Sequence, residues 1–148
     1  MEDKRLKRFG QLIYFLDSKI DEIAAAELSE YTLKRDQLYM LELIMSEENI
    51  TQKKLIYKLN REQTAVSRSI KKLFDNGFIK KEQSKFDLRS TVLIPTEKGI
   101  EVITKTEDIK LRVVRNFLRD LSAQESEQLI SLLEKVYDAF AIRDPFRF

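Results

Sequence analysis

Between residues 61 and 75 the chain sets Arg61, Gln63, Thr64, Ala65, Ser67, Arg68, Lys71 and Lys72 around a few apolar positions, and Lys85, Asp87 and Arg89 follow shortly after. These side chains are suited to hydrogen bonding and positive charge rather than to making or breaking covalent bonds. A Gln amide can pair bidentately with adenine and a guanidinium with guanine, while Ser, Thr and Lys mostly hold phosphates. The chemistry on offer is recognition of a polyanion that presents an ordered series of edges. Charge along the chain points the same way. Residues 51–90 carry 11 basic and four acidic side chains, a balance of +7, between residues 1–50 at −4 and residues 91–148 at −1. Cations grouped like this gain by displacing counterions condensed on phosphates. A solvated Lys-rich surface gives the same count, so charge alone does not decide.

Composition removes most of the alternatives. The 148 residues hold no Cys and no His, which takes away thiol nucleophiles, imidazole bases, disulfides and the commonest metal ligands. Catalysis would have to rest on Asp, Glu, Lys or Tyr, and the adjacent carboxylates Glu47-Glu48 and Glu107-Asp108 read as solvated helix surface. No catalytic residue, metal site or cofactor is assigned. Gly10, Gly77 and Gly99 are the three glycines, too scattered for a phosphate-binding loop or a dinucleotide fingerprint. The apolar runs are short and the start, Met1 to Arg8, is charged, so a soluble, cytoplasmic protein with no membrane partner is expected.

Positioning the basic residues requires helices, and with only two Pro in the chain long ones are expected. Leu6, Phe9, Ile13, Leu16, Ile20 and Ile23 recur in steps of three and four, a helical seam of coiled-coil type. After a lapse over 27–32, Thr32 offers an N-cap for a second helix with Leu38, Leu41 and Met45 on one side, ending by Glu47. Thr51 can cap a third helix that turns Leu55, Ile56 and Leu59 inward, and Asn60 tolerates the tight turn that follows. In the fourth helix Val66, Ile70, Leu73 and Phe74 share one arc, and Asn76-Gly77 stops it. Two short strands, 78–83 and 91–94, enclose a polar loop. Pro95 ends the second, and Thr96 caps a helix running to Leu118. From Leu121-Ser122 a last seam, Leu129, Leu133, Val136 and Phe140, extends to Asp144-Pro145.

Two helices joined by a short turn and followed by a basic hairpin form a winged helix-turn-helix. The expected fold is mainly α, a three-helix core plus a two-stranded β wing, with long N- and C-terminal helices. Opposite the apolar arc of the fourth helix lie Arg61, Thr64, Arg68, Lys71, Lys72 and Asp75, flanked by Ala65 and Ser67. One face packs while the other can enter a major groove.

The residues also resemble a known family, the MarR family of bacterial transcription regulators. Ile50-Thr51-Gln52-Lys53-Lys54-Leu55 is similar to its third helix, Thr64-Ala65-Val66-Ser67-Arg68-Ser69-Ile70-Lys71-Lys72-Leu73 to its recognition helix, and Asn76-Gly77-Phe78-Ile79 to the exit into the wing. Asp87-Leu88-Arg89, then Val92-Leu93-Ile94-Pro95-Thr96-Glu97-Lys98-Gly99, resembles the family's Asp-x-Arg wing tip, final strand and Thr-x-Lys-Gly helix start. The entry to the fourth helix departs from the pattern: Asn60, Arg61 and Glu62 stand where a Gly and a small polar cap are common. Asn60 with Gln63 as a capping box, or Glu62, can serve as cap, and which of Arg61, Gln63 and Thr64 reaches a base stays open.

The resemblance implies a homodimer bound to double-stranded DNA, with residues 1–30 and 100–148 as dimerisation helices and 32–99 as the winged lobe. The apolar seams support a dimer independently, although they can also close on each other within one chain. It further implies that Arg89 enters the minor groove with Asp87 orienting its guanidinium. Many relatives release DNA when a small lipophilic or aromatic effector enters a cleft between the lobe and the dimer helices. Tyr14, Phe15 and Tyr39 are candidates to line one, with a place in the core the simpler expectation for each. The rival function is a winged-helix module that contacts an acidic protein partner.

Overall fold

A computed structural model describes residues 2–59 and 61–140. The order of elements is α1 (Asp3–Leu28), a 3-10 turn (Ser29–Tyr31), α2 (Arg35–Ser46), α3 (Gln52–Leu59), α4 (Gln63–Asp75), β1 (Ile79–Gln83), β2 (Thr91–Pro95), α5 (Glu97–Phe117) and α6 (Ala123–Asp138). Strands β1 and β2 pair antiparallel with Ile79 opposite Pro95 and Gln83 opposite Thr91. The winged helix-turn-helix architecture, with long helices at either end, is as expected. Among the described residues no helix is long and apolar enough to cross a membrane.

The core forms where α2, α4, the wing and the start of α5 meet. Leu41, Leu55, Leu73, Ile70, Leu93 and Phe78 are fully enclosed there, and Leu28 and Val102 close its edges. Each such side chain contributes about 1.5–3 kcal/mol on leaving water. Among the described residues every buried hydrophobic side chain falls between Leu28 and Ile103, and α6 buries none.

Several local expectations differ. Thr32 does not cap α2: it ends the 3-10 turn in the left-handed region (φ 57°), and α2 begins at Arg35. The chain enters α2 through Lys34, whose backbone N–H donates to Gln37 Oε1 at 3.1 Å. Met45 is exposed, and the inward face of α2 is instead Gln37, Leu38, Met40, Leu41, Leu43 and Ile44. Phe74 also lies outside the core, beneath the ammonium of Lys81 at 5.0 Å. The last helix ends at Asp138, before the expected stop; Asp144-Pro145 and Asn60 lie outside the described residues. Thr51 does cap α3, its Oγ1 accepting from the Lys54 amide at 3.1 Å. The same residue bridges to Val92, and the Leu93 amide donates to the Ile50 carbonyl at 2.9 Å, so the α2–α3 connection adds a short third edge to the wing.

The exit of α4 and the start of α5 are fastened together. Gly77 takes φ 76°, its N–H bonds to the Phe74 carbonyl and that of Phe78 to Leu73, a Schellman ending. Thr96 Oγ1 donates to the Gly77 carbonyl at 2.6 Å and accepts from the Gly99 amide at 3.1 Å. The Thr96 amide donates to Phe78 O at 3.0 Å, and Lys98 Nζ donates to the Asn76 carbonyl at 2.6 Å while lying over the Phe78 ring. At Gly99 a Cβ would stand 2.2 Å from Phe78 O, inside the contact distance of any carbon. Gly99→Ala is therefore expected to destabilise the protein by about 2–4 kcal/mol in urea unfolding, because the obstruction is backbone. Gly10→Ala, with nothing within 4 Å of the added carbon, is expected to hold or gain up to about 1 kcal/mol.

Candidate nucleic-acid interface

Helix α4 divides as its pattern requires. Val66, Ile70 and Leu73 are buried against the core, while Arg61, Gln63, Thr64, Ala65, Arg68, Lys71 and Lys72 are exposed and Ser67 is half-buried. Glu62 occupies the N-cap position with an extended backbone and makes no side-chain cap hydrogen bond. Gln63 is thus the first helical residue rather than the partner in a capping box. Among the described residues no side chain caps the amides of that first turn, a setting that favours an anion.

The wing tip is a hydrogen-bonded turn. Buried Ser84 accepts through Oγ from the amides of Phe86 and Asp87 at 3.2 and 3.3 Å, and Gln83 Nε2 donates to the Leu88 carbonyl at 2.7 Å. In the free chain Asp87 makes no ion pair with the Arg89 guanidinium. Its Oδ1 accepts from the Arg89 backbone N–H and its Oδ2 from the Ser90 hydroxyl, each at 3.0 Å. The carboxylate shapes the loop, because a two-residue reach to a backbone amide closes a tight ring that the long Arg side chain cannot match. Arg89 and Lys85 are both exposed and make no ion pair among the described residues.

Part of the basic island is spent internally. Glu47, at the end of α2, takes ion pairs from Lys54 and Lys58 of α3, so it is a clamp between helices and not solvated helix surface. The hydrogen bond from Lys54, then that from Lys58, hold its carboxyl below the ordinary carboxylate range. Lys71 pairs with Asp75 at 2.6 Å and Lys80 with Glu82 at 3.1 Å. Among the described residues Lys53, Arg61, Arg68, Lys72, Lys81, Lys85 and Arg89 of the island make no ion pair, and five of these, Arg61, Arg68, Lys72, Lys85 and Arg89, lie on α4, its entry or the wing tip. The Glu47 clamp escaped the sequence pattern because its partners stand seven and 11 residues away across a turn.

Tyr14, Phe15 and Tyr39 are not core residues of the chain: all three are exposed, Tyr14 by 78 %. Tyr39 borders two cavities. It lines, with Ile20, Leu38, Ile109 and Val113, an apolar space of about 70 Å³ between α1, α2 and α5. It also borders an open cleft of about 680 Å³ shared with Asp21, Arg35 and Arg61. Arg35 crosses that cleft's wall to Asp17 at 2.8 Å and Asp21 at 3.0 Å.

Comparison with known proteins accords with this geometry. A sequence model of the MarR family matches residues 33–91, the whole helix-turn-helix and the wing up to β2. An uncharacterised HTH-type transcriptional regulator of Bacillus subtilis, YybA, is 30% identical over 131 residues, covering 88% of this chain and 85% of that protein. The chain belongs to the MarR family. MarR-family membership brings the general role of a DNA-binding transcription regulator. A SlyA-like transcription regulator from Listeria monocytogenes shares the fold at TM-score 0.77 and 29% identity, covering 88% of this chain and 87% of that one. A MarR variant from E. coli, solved in complex with operator DNA, superposes at TM-score 0.80 with 22% identity over 89% of this chain and 95% of that one.

Glu47 also sets a pH dependence in this MarR-family chain. Its folded pKa is lowered, so its contribution to stability is present above the ordinary value of 4.5 and is lost as pH falls through the folded value. Urea midpoints of the wild type are expected to fall more steeply on acidification through that window than those of Glu47→Gln, which starts lower and has no such carboxylate to protonate.

Proposed function

We propose that the protein is a homodimeric repressor that occupies a pseudo-palindromic operator and blocks polymerase by occupancy. The observation that carries this is the division of α4: three apolar residues seated in the core and an exposed face bearing Arg61, Gln63, Thr64, Ala65, Arg68, Lys71 and Lys72. Arg68, Lys72 and Arg61 have no internal ion pair among the described residues to give up on binding. Gln63 and Thr64 stand at the helix end that meets base edges, and Ser67, Lys71 and Lys72 suit phosphates. Lys85 and Arg89 extend the same cationic surface onto the wing, with Asp87 keeping the loop in shape. Crystals of E. coli MarR with operator DNA support the duplex as ligand, since the folds superpose.

The dimer would be built from residues 1–30 and 100–148, flanking the winged lobe at 32–99. Leu6, Phe9, Ile13 and Leu16 on α1 and Leu129, Ile130, Leu132, Leu133 and Val136 on α6 are exposed in one protomer, a total apolar surface that a monomer rarely presents to water. The open cleft beside Tyr39 is the place where a small lipophilic or aromatic effector would act. The apolar space of about 70 Å³ between α1, α2 and α5 is too small for one, since ligand sites span roughly 300–1,000 Å³.

Operator half-sites are expected about 10 base pairs apart. With about three to five phosphates neutralised per protomer, log affinity should fall with log salt at a slope of roughly −5 to −9. Arg68→Ala and Arg89→Ala should each weaken binding in gel-shift titrations while leaving the dimer intact in sedimentation. Equal binding by the wild type and both variants removes these residues from the interface, and selective capture of an acidic protein in place of duplex supports the interaction-module reading. Leu129→Glu with Leu133→Glu should yield a folded monomer whose duplex affinity drops at least a hundredfold, through loss of the second lobe's contacts.

A further inference from the structure

Two large apolar side chains at the wing tip have no part in the contacts proposed above. Phe86 is 93 % exposed and Leu88 is 70 % exposed, on either side of Asp87. Elsewhere between residues 61 and 95 the large apolar side chains are covered or half-covered, apart from Phe74 beneath Lys81. The tip that carries them is fixed by Ser84, Asp87 and Gln83 through five hydrogen bonds, so the two side chains stand on an ordered loop. Their surroundings are cationic. The Asp87 carboxylate is engaged by the Arg89 amide and the Ser90 hydroxyl, whereas Lys85 and Arg89 make no ion pair among the described residues.

A surface that is apolar at its apex and cationic around it complements a ligand with the opposite arrangement, anionic at its rims and apolar within. The minor groove of a duplex is built that way, with phosphates along both edges and deoxyribose and base-step surfaces inside. We propose that Phe86 wedges against a base step in the minor groove while Leu88 covers a neighbouring deoxyribose, so that the wing reads how easily the duplex deforms. This rests on the protein being a DNA-binding regulator and adds a determinant of specificity to it. Apolar wedges partly unstack a step and kink the duplex. The cost is smallest at flexible pyrimidine–purine steps, and that difference is what the wing would sense.

The test uses the full chain and a duplex selected from a random-sequence library by the wild type, carrying 2-aminopurine at successive positions under the wing. Wild-type binding is expected to raise the fluorescence at one step, with TA or CA preferred there. Phe86→Ala should abolish the rise and the step preference and weaken Kd about tenfold, the scale of one aromatic contact with a base. Its salt slope should equal that of the wild type, whereas Arg89→Ala should flatten the slope by about one. Because Phe86 is almost fully exposed, the variant should keep the wild-type urea midpoint. Unchanged affinity and fluorescence for Phe86→Ala, or a loss of dimer in that variant, overturns the wedge while leaving duplex recognition standing. Failure of the wild type to select any duplex overturns both.

Discussion

The Phe78 carbonyl accepts from the Thr96 amide, and the α-carbon of Gly99 passes so close to it that no side chain fits between. That contact fixes the angle between the end of α4 and the start of α5, and the wing is the loop of chain strung between them. With Phe78 buried and Lys98 reaching back to Asn76, the latch ties hydrogen bonds and packing to the same few atoms. A groove-reading helix is useful only if its insertion angle is reproducible, because base-edge hydrogen bonds tolerate little misalignment. Rigidity at this latch is what turns an amphipathic helix with Lys and Arg on one side into a device aimed in a fixed direction relative to the hairpin.

Much of this was legible from periodicity and caps. The part of the apolar arc of α4 made by Val66, Ile70 and Leu73, the left-handed stop at Gly77, the two strands and the cap at Thr96 follow from local rules that the tertiary structure does not override. What was not legible depends on side chains meeting across turns. Glu47 reaching Lys54 and Lys58, and Ile50 pairing with Leu93, bring together residues whose spacing carries no periodic signal. At Thr32 the polar side chain suggested a cap, but the 3-10 turn after α1 moved the start of α2 to Arg35. The local role of Asp87 was not legible either, because its carboxylate meets the nearer backbone donor of Arg89 and so shapes the loop.

The internal ion pairs also change what the basic island means. Lys54 and Lys58 hold α3 to the end of α2, and Lys71 and Lys80 face carboxylates on their own elements. The charge available to a partner is therefore smaller than the count over residues 51–90 and more sharply placed. It concentrates on the entry and outer face of α4 and on the wing tip, where Arg61, Arg68, Lys72, Lys85 and Arg89 stand without internal partners among the described residues. A count of charges measures solubility and attraction; their distribution among partners decides which surface a polyanion meets.

The lobe and the helices that flank it are joined differently from the way the lobe is built. Inside the lobe the contacts are enclosed apolar side chains. At the joint, Ala24, Leu28, Val102 and Ile103 supply the apolar part, and beside it run the ion pairs of Arg35 to Asp17 and Asp21 and of Lys110 to Glu42, while Arg112 to Glu27 ties the two flanking helices to each other. Burial works against the charge on Lys110, but Glu107 and Glu42 outweigh it and hold its pKa up. Ion pairs open to solvent weaken with salt and stabilise little, in contrast to a packed core. The ion pairs at Arg35 border the cleft that Tyr39 and Arg61 share. Shifting the ion pairs that line the cleft, Arg35 with Asp17 and Asp21, costs less than repacking the enclosed apolar side chains of the lobe.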